Sequence, residues 1–233
     1  EVNERINELL KHSIKSEGII NLFSNVGTEF SLFDPKFLEE IAHMKEKNLA
    51  VELLKKLIAE QVSIYRRSNV VKSEKFSEII QSVMNCYLNG MLTNEEVIQE
   101  LLKLAKDIAQ ANAEGEALGL NAEELAFYDA LTKPHAIKDF YEHEELIAIT
   151  KELTDLLRQN RTIDWQKKES TRAGMRRLVK RLLKKHKYPP EGMEDAVQTV
   201  MSQFEMWTDN VAANDAQIKE MIGMSAYSAF SET

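Results

Sequence analysis

The chain has 233 residues, of which 43% are hydrophobic and 29% charged, and its formal net charge at pH 7 is −8. This composition is ordinary for a globular protein with a sizeable core, and it excludes a disordered chain. Only 8 Gly and 4 Pro are present, which favours long helices over many short strands. The single cysteine, Cys86, cannot form an internal disulfide, so we expect a cytoplasmic protein.

Hydrophobic residues recur with the helical period of 3.6 along most of the chain. Thr93 and Glu96 form a capping-box pattern at the start of one such segment, because each side chain can bond the backbone amide of the other residue. The pattern predicts helices at about 3–14, 36–44, 48–66, 74–89, 94–111, 121–131, 142–159, 167–187 and 190–208. Only residues 21–33 could be extended, and they are too isolated for a sheet. We predict an all-α protein, a multi-helix bundle array of about 8–11 helices.

A stretch rich in Ala, Gly and Glu, residues 111–125, is the best candidate for a domain boundary. It divides the chain into a first helical domain, 1–115, and a C-terminal helical domain, 116–233. The chain starts without Met and directly in a helical pattern, so we expect it to be part of a larger protein. No apolar run reaches the roughly 18 residues of a membrane span, and we expect no membrane contact.

The usual catalytic and metal-binding motifs are missing from the sequence. There is no Gly-rich phosphate loop ending in Lys-Ser/Thr, and a nuclease site on adjacent strands would need strands. His143 and Glu144 begin a zinc-protease pattern, but Ile147 occupies the position of the second histidine ligand. The five histidines show no ligand spacing. We therefore predict no catalytic residue, metal or cofactor within this chain.

One segment inverts the charge of the protein. Residues 167–187 contain ten Lys or Arg and one acid, Glu169, so that 21 residues carry +9 while the remaining 212 carry −17. Met175, Leu178, Val179, Leu182 and Leu183 form a core-facing stripe along the predicted helix. The predicted contact residues are the cations around it: Arg172, Arg176, Arg177, Lys180, Arg181, Lys184, Lys185 and Lys187.

Four explanations of this basic face stay open on the sequence alone. It can pair with the acidic remainder of its own chain, which is the usual role of a charge run, although clustering of one sign argues against it. It can contact the phosphates of a DNA duplex in a salt-sensitive way, and the scarcity of aromatics favours backbone contact over base stacking. An acidic protein partner is the third explanation. A membrane surface is the least favoured, since the apolar side is narrow and lacks Trp and Phe.

Several sequence blocks resemble the C-terminal region of the R subunit of type I restriction enzymes. They are GLNAEELAFYDAL (119–131), TIDW (162–165) and ESTRAGMRRLVKRLLKKHKYPP (169–190), with upstream blocks at 17–26, 29–58 and 92–108. The resemblance covers nearly the whole chain, and the ELAFYDAL and YPP blocks are its most specific parts. Within these blocks we assign Phe127 to the core, leave Tyr128 open between core and interface, and expect Trp165 to be a packing anchor.

In that family the R subunit joins a nuclease domain and two RecA-like, ATP-hydrolysing motor domains to helical domains. The resemblance implies that the present chain docks the translocase onto the methyltransferase–specificity core and lies near translocated DNA. The implied partners are the methyltransferase and specificity subunits, the rest of the R subunit and double-stranded DNA. ATP and Mg²⁺ are expected for the full-length parent, a site-specific deoxyribonuclease, whose catalytic motifs do not fall within this sequence. The alternative is a purely protein–protein assembly domain without DNA contact.

Overall fold

The computed structural model describes residues 35–133, 136–161 and 169–209, and within them the chain is helical without any strand. The all-α prediction is confirmed for these residues, whereas the predicted helix at 3–14 and the segment 21–33 lie outside them. The helices in chain order are α1 (Pro35–Ala42), α2 (Lys47–Ser68), α3 (Val70–Leu88), α4 (Asn94–Leu118), α5 (Ala122–Thr132), α6 (Ala136–Phe140), α7 (His143–Asn160), α8 (Glu169–Lys185) and α9 (190–209).

Local sequence signals explain where several of these helices begin. The predicted capping box is present at α4, where Thr93 N–H donates to Glu96 Oε2 at 2.8 Å and Glu96 N–H donates to Thr93 Oγ1 at 3.3 Å. Asn121 and Glu124 repeat this arrangement at α5. Asn69 accepts the Lys72 amide at 3.0 Å, and this cap starts α3 four residues earlier than the hydrophobic period indicated.

The helices bury two hydrophobic cores, which lie before and after the predicted boundary. The first core is formed by α1 to α4 and includes Ile58 and Leu101; the second is formed mainly by α5, α7, α8 and α9 and includes Leu153 and Phe204. Helix α4 runs past residue 115 and ends at Gly119, whose φ of 63° is the left-handed conformation that glycine adopts without strain. The division into two domains stays a prediction.

A polar cluster joins the two cores at the turn between α2 and α3. Asn69 Nδ2 donates to Asp129 Oδ2 of α5 at 2.7 Å, and Lys72 Nζ lies 3.5 Å from the same carboxylate. Gln203 of α9 accepts the Val70 amide at 2.8 Å and donates to the Ser68 carbonyl at 2.9 Å. The side chains of Asn69, Lys72, Asp129 and Gln203 are buried, so their bonds fix how α5 and α9 are placed on the first core.

Helix α5 lies inside the protein rather than at its edge. Phe127 and Tyr128 point to different sides of the helix, yet both are 0% exposed. Phe127 is therefore a core residue as predicted, and Tyr128 belongs to the core as well. Trp165 lies outside the described residues.

Candidate functional site

The basic helix α8 is held in place by its apolar side. Met175, Val179, Leu182 and Leu183 are buried in the second core, and Leu178 packs against it partly exposed. The predicted apolar stripe is thus confirmed. Since this stripe fixes the rotation of the helix, it also decides which cations face neighbouring helices and which face outward.

Three of the predicted contact residues are bonded to α9, which runs antiparallel to α8. The contacts follow each other along the pair of helices: Arg172 to Glu205 at 2.6 Å, Arg176 to Gln198, and Lys180 to Glu194 at 2.5 Å. The hydrogen bond from Lys180 holds the pKa of Glu194 below its usual value. These cations are therefore neutralised or bonded within their own chain.

A fourth cation of the set, Lys185, is bonded to α7. Its ammonium donates to Glu152 Oε1 at 2.6 Å, and the other carboxylate oxygen lies 2.7 Å from His186 Nε2. The hydrogen bonds from Lys185 and then His186 hold the pKa of Glu152 below its usual value. We call Arg172, Arg176, Lys180 and Lys185 together the paired face of α8.

The other four predicted residues point away from the protein. Arg177, Arg181, Lys184 and Lys187 are all exposed, and among residues 35–133, 136–161 and 169–209 their side chains have no ion pair or hydrogen bond. The first three follow the spacing i, i+4, i+7 and so form a line about 10 Å long on the helix surface. We call these four residues the outward row.

The outward row ends in an unusual backbone conformation. Lys187 has a φ of 58°, and it is the single non-glycine residue with positive φ in the described part of the chain. Its amide donates to the Lys184 carbonyl at 3.0 Å and the Tyr188 amide donates to the Leu183 carbonyl at 2.9 Å. These bonds are the Schellman motif, in which this position is usually glycine, as it is at the end of α4.

An exposed aromatic side chain lies beside this end of α8, and the sequence patterns did not reveal it. Tyr141 donates its hydroxyl to the His186 carbonyl at 2.7 Å, and the ring of Phe140 lies 4.9 Å from the Tyr141 ring. Phe140 is 59% exposed. Because Tyr141 and His186 are 45 residues apart in the chain, no local motif predicts this neighbourhood.

Two other kinds of site are not found in the described ranges. No three or more His, Cys, Asp or Glu residues in them are grouped so that they could hold a metal ion. None of their helices is both long and apolar enough to cross a membrane.

Comparison with known proteins identifies the family. Residues 1–210 match the family model described as "Type I restriction enzyme HindI endonuclease subunit-like, C-terminal". The type I restriction enzyme HindI endonuclease subunit of Haemophilus influenzae is 37% identical over 209 residues, which is 87% of this chain and 20% of that protein. A provisionally named type I restriction enzyme MjaIXP endonuclease subunit of Methanocaldococcus jannaschii is 31% identical over 194 residues, 82% of this chain and 18% of that protein.

The chain thus spans about a fifth of the length of the curated relatives it matches. No solved structure matches it. The family model and both relatives each cover more than four fifths of the chain. The resemblance seen in the sequence is confirmed: the chain belongs to the family of C-terminal regions of HindI-like type I restriction enzyme endonuclease subunits.

Proposed function

We propose that this chain docks an ATP-dependent DNA translocase and endonuclease subunit onto the methyltransferase–specificity core, and that it contacts the backbone of double-stranded DNA through the outward row of α8. The observation that carries the DNA contact is the division of the basic helix. The paired face is satisfied by α7 and α9, whereas Arg177, Arg181, Lys184 and Lys187 present four exposed positive charges to solvent.

The chemistry of the outward row suits phosphate groups. Arg and Lys side chains bind the DNA backbone by displacing condensed counterions, without reading the base sequence. The rest of the chain is strongly acidic, and acidic surface repels DNA. A duplex would therefore be oriented toward the outward row and kept from other faces.

A second candidate function, assembly by protein contact alone, is supported by a different surface. Leu88 and Met91, at the turn between α3 and α4, are 76% and 64% exposed. Exposed large apolar residues are typical of protein interfaces. Leu88 and Met91 lie between helices of the first core, whereas α8 belongs to the second, so a protein contact at this turn does not need the outward row. The methyltransferase and specificity subunits and the rest of the R subunit are the proposed partners.

The activity of the whole enzyme is part of the same proposal. The matched relatives are endonuclease subunits about five times longer than the aligned region, and the ATP and Mg²⁺ expected for such a parent are assigned to no residue here. This chain then contributes positioning: it holds the motor against its partners and keeps the duplex near the complex.

The proposal is tested by fluorescence anisotropy with a labelled duplex of random sequence, titrated with the 233-residue chain at several salt concentrations. Each phosphate neutralised contributes about −0.9 to the slope of log K against log salt, so three or four contacts give a slope of about −3 to −4. A variant with Arg177, Arg181 and Lys184 changed to Glu should lose this binding.

Two results would count against the DNA contact. One is absence of duplex binding at low salt by the unmodified chain. The other is binding that the charge-reversed variant retains. In either case the outward row would be reassigned to an acidic protein partner, and binding to the purified methyltransferase–specificity core would become the decisive assay.

A further inference from the structure

We propose that Phe140 and the C-terminal end of α8 together bind an unpaired stretch of nucleic acid, with a base stacked on the Phe140 ring and phosphates held by Lys184 and Lys187. This inference rests on the proposed DNA contact and adds a preference for single-stranded or gapped DNA. It departs from the expectation drawn from the sequence, which favoured backbone contact because aromatics are scarce within the basic segment.

The position of the Phe140 ring is fixed by its neighbours. Ile137, one turn before it in α6, is 1% exposed and anchors this short helix in the second core. Tyr141, directly after it, is bonded through its hydroxyl to the His186 carbonyl and lies 6.3 Å from the Tyr188 ring. The backbone of Phe140 is therefore held on both sides in the sequence, by Ile137 in the second core and by Tyr141 against the segment that contains Lys187.

The ring is nevertheless open to a ligand. Its described contact is an edge-on arrangement with Tyr141, at an interplanar angle of 81°, and 59% of the residue stays exposed. A phenylalanine at such exposure gains little from its own fold, since hydrophobic stabilisation follows the area removed from water. A nucleobase stacked on the ring would cover this area. Such stacking accepts any base, because every base has a π-face.

The exposed cations at the end of α8 favour a nucleic-acid strand over an apolar peptide. Lys187 directly follows His186, whose carbonyl accepts the Tyr141 hydroxyl, and Lys184 lies one turn earlier; both lysines are exposed. Phosphates are attracted to these ammonium groups and repelled by Asp139 and Glu142, the exposed acids near Phe140 in the sequence. Lys187 also occupies a left-handed position where glycine would be less strained. Strain of this kind is typical of positions where the side chain has a role.

The test compares three labelled DNA probes of equal length: a single strand, a duplex, and a duplex with a short central gap. The proteins are the unmodified chain, Phe140→Ala, and Ile64→Ala as a matched control, because Ile64 is also a large exposed apolar residue, at 56%, but lies on α2. Loss of one base stack corresponds to about a five- to 150-fold change in affinity.

We expect Phe140→Ala to weaken binding to the single strand and the gapped duplex by that factor while changing duplex binding by less than about twofold. Phe140→Trp should retain the preference, and Ile64→Ala should leave all three affinities unchanged. The inference is overturned if Phe140→Ala leaves all three affinities unchanged, if it lowers them equally, or if the unmodified chain does not bind the single strand. Failure of the duplex contact is visible separately, as duplex binding that charge reversal of the outward row does not alter.

Discussion

The two exposed faces of α8 carry the same residue types in different surroundings. On the paired face, Arg172, Lys180 and Lys185 each meet a carboxylate within 2.6 Å. In the outward row, Arg177, Arg181 and Lys184 stand on the same helix and meet no carboxylate among the described residues. Clustered positive charge in a sequence therefore does not show how many of its cations are available to a partner, because the carboxylates that pair with them come from other helices.

Two explanations that compete on the sequence alone therefore apply to different halves of the helix. Pairing with the chain's own acids describes the paired face, through α7 and α9. The outward row is available to a partner, which we propose is the backbone of duplex DNA.

The largest effect on stability is expected from a change in the buried apolar stripe of α8. Leu183 is 0% exposed in the second core, and Leu183→Ala should lower the free energy of unfolding by about 2–5 kcal/mol, because it leaves a cavity. Urea unfolding followed by circular dichroism measures this. Lys184→Ala, one residue further and outward, should change stability by less than about 0.5 kcal/mol. Equal changes in stability at the two positions would show that α8 does not pack into the second core through the side that contains Leu183.

Lys187→Gly should stabilise the protein by about 0.5–1 kcal/mol, because relief of the left-handed conformation outweighs the greater chain entropy of glycine when unfolded. The same change removes one cation of the outward row and should reduce the salt slope of duplex binding by about 0.9. Lys187→Ala separates the two effects: it should lose the same binding without the gain in stability. A stabilised variant with undiminished binding would remove Lys187 from the proposed contact.

Glu152→Gln should leave Lys185, a cation of the paired face, without its carboxylate partner. It removes the carboxylate that bonds Lys185 and His186, so we expect duplex affinity at low salt to rise roughly two- to fivefold. Asp155→Asn, on the same helix with its carboxylate nearest Arg158, is the matched control and removes the same charge. An equal increase in both variants would mean that overall charge, rather than release of Lys185, governs binding.

The smallest effect is the acid dependence of the paired face. The pKa of Glu152 is lowered by the hydrogen bonds from Lys185 and His186, so its ionised form favours the folded state above the unfolded value of about 4.5. That contribution should be lost as the pH falls through the lowered pKa of the folded protein. Urea unfolding between pH 6 and about 3 should show a shallower decline in Glu152→Gln than in the unmodified chain. Identical pH profiles would contradict the bonding seen at Lys185.

The sequence predicts the helices well because their signals are local. The capping box at Thr93 and the apolar stripe of α8 depend on residues three or four positions apart, and both are present as predicted. The short helix α6 was missed because five residues carry too little of the helical period. The burial of Tyr128 does not follow from the sequence, because residues 125–132 of α5 are all buried and this part of the helix has no polar face that marks an outward direction.

The candidate site was predicted only in part, for a related reason. The eight cations were recognisable as one set, but their division depends on Glu152, Glu194 and Glu205 of other helices; the contact of Lys185 alone bridges 33 residues. Phe140 likewise reaches the end of α8 through tertiary packing of Tyr141. Pairings of this range follow from how the helices pack, and no spacing rule within a helix contains them.

Neutralising the two faces of α8 separately, and comparing the salt dependence of duplex binding, tests most directly which face is available to DNA. One variant changes Arg177, Arg181 and Lys184 to Gln; the other changes Arg172, Lys180 and Lys185 to Gln, so that the net charge of the two proteins is the same. We predict that the first loses about 2–3 from the slope of log K against log salt and that the second keeps nearly all of it. Equal losses in both variants would contradict the claim that only the outward row is available to DNA.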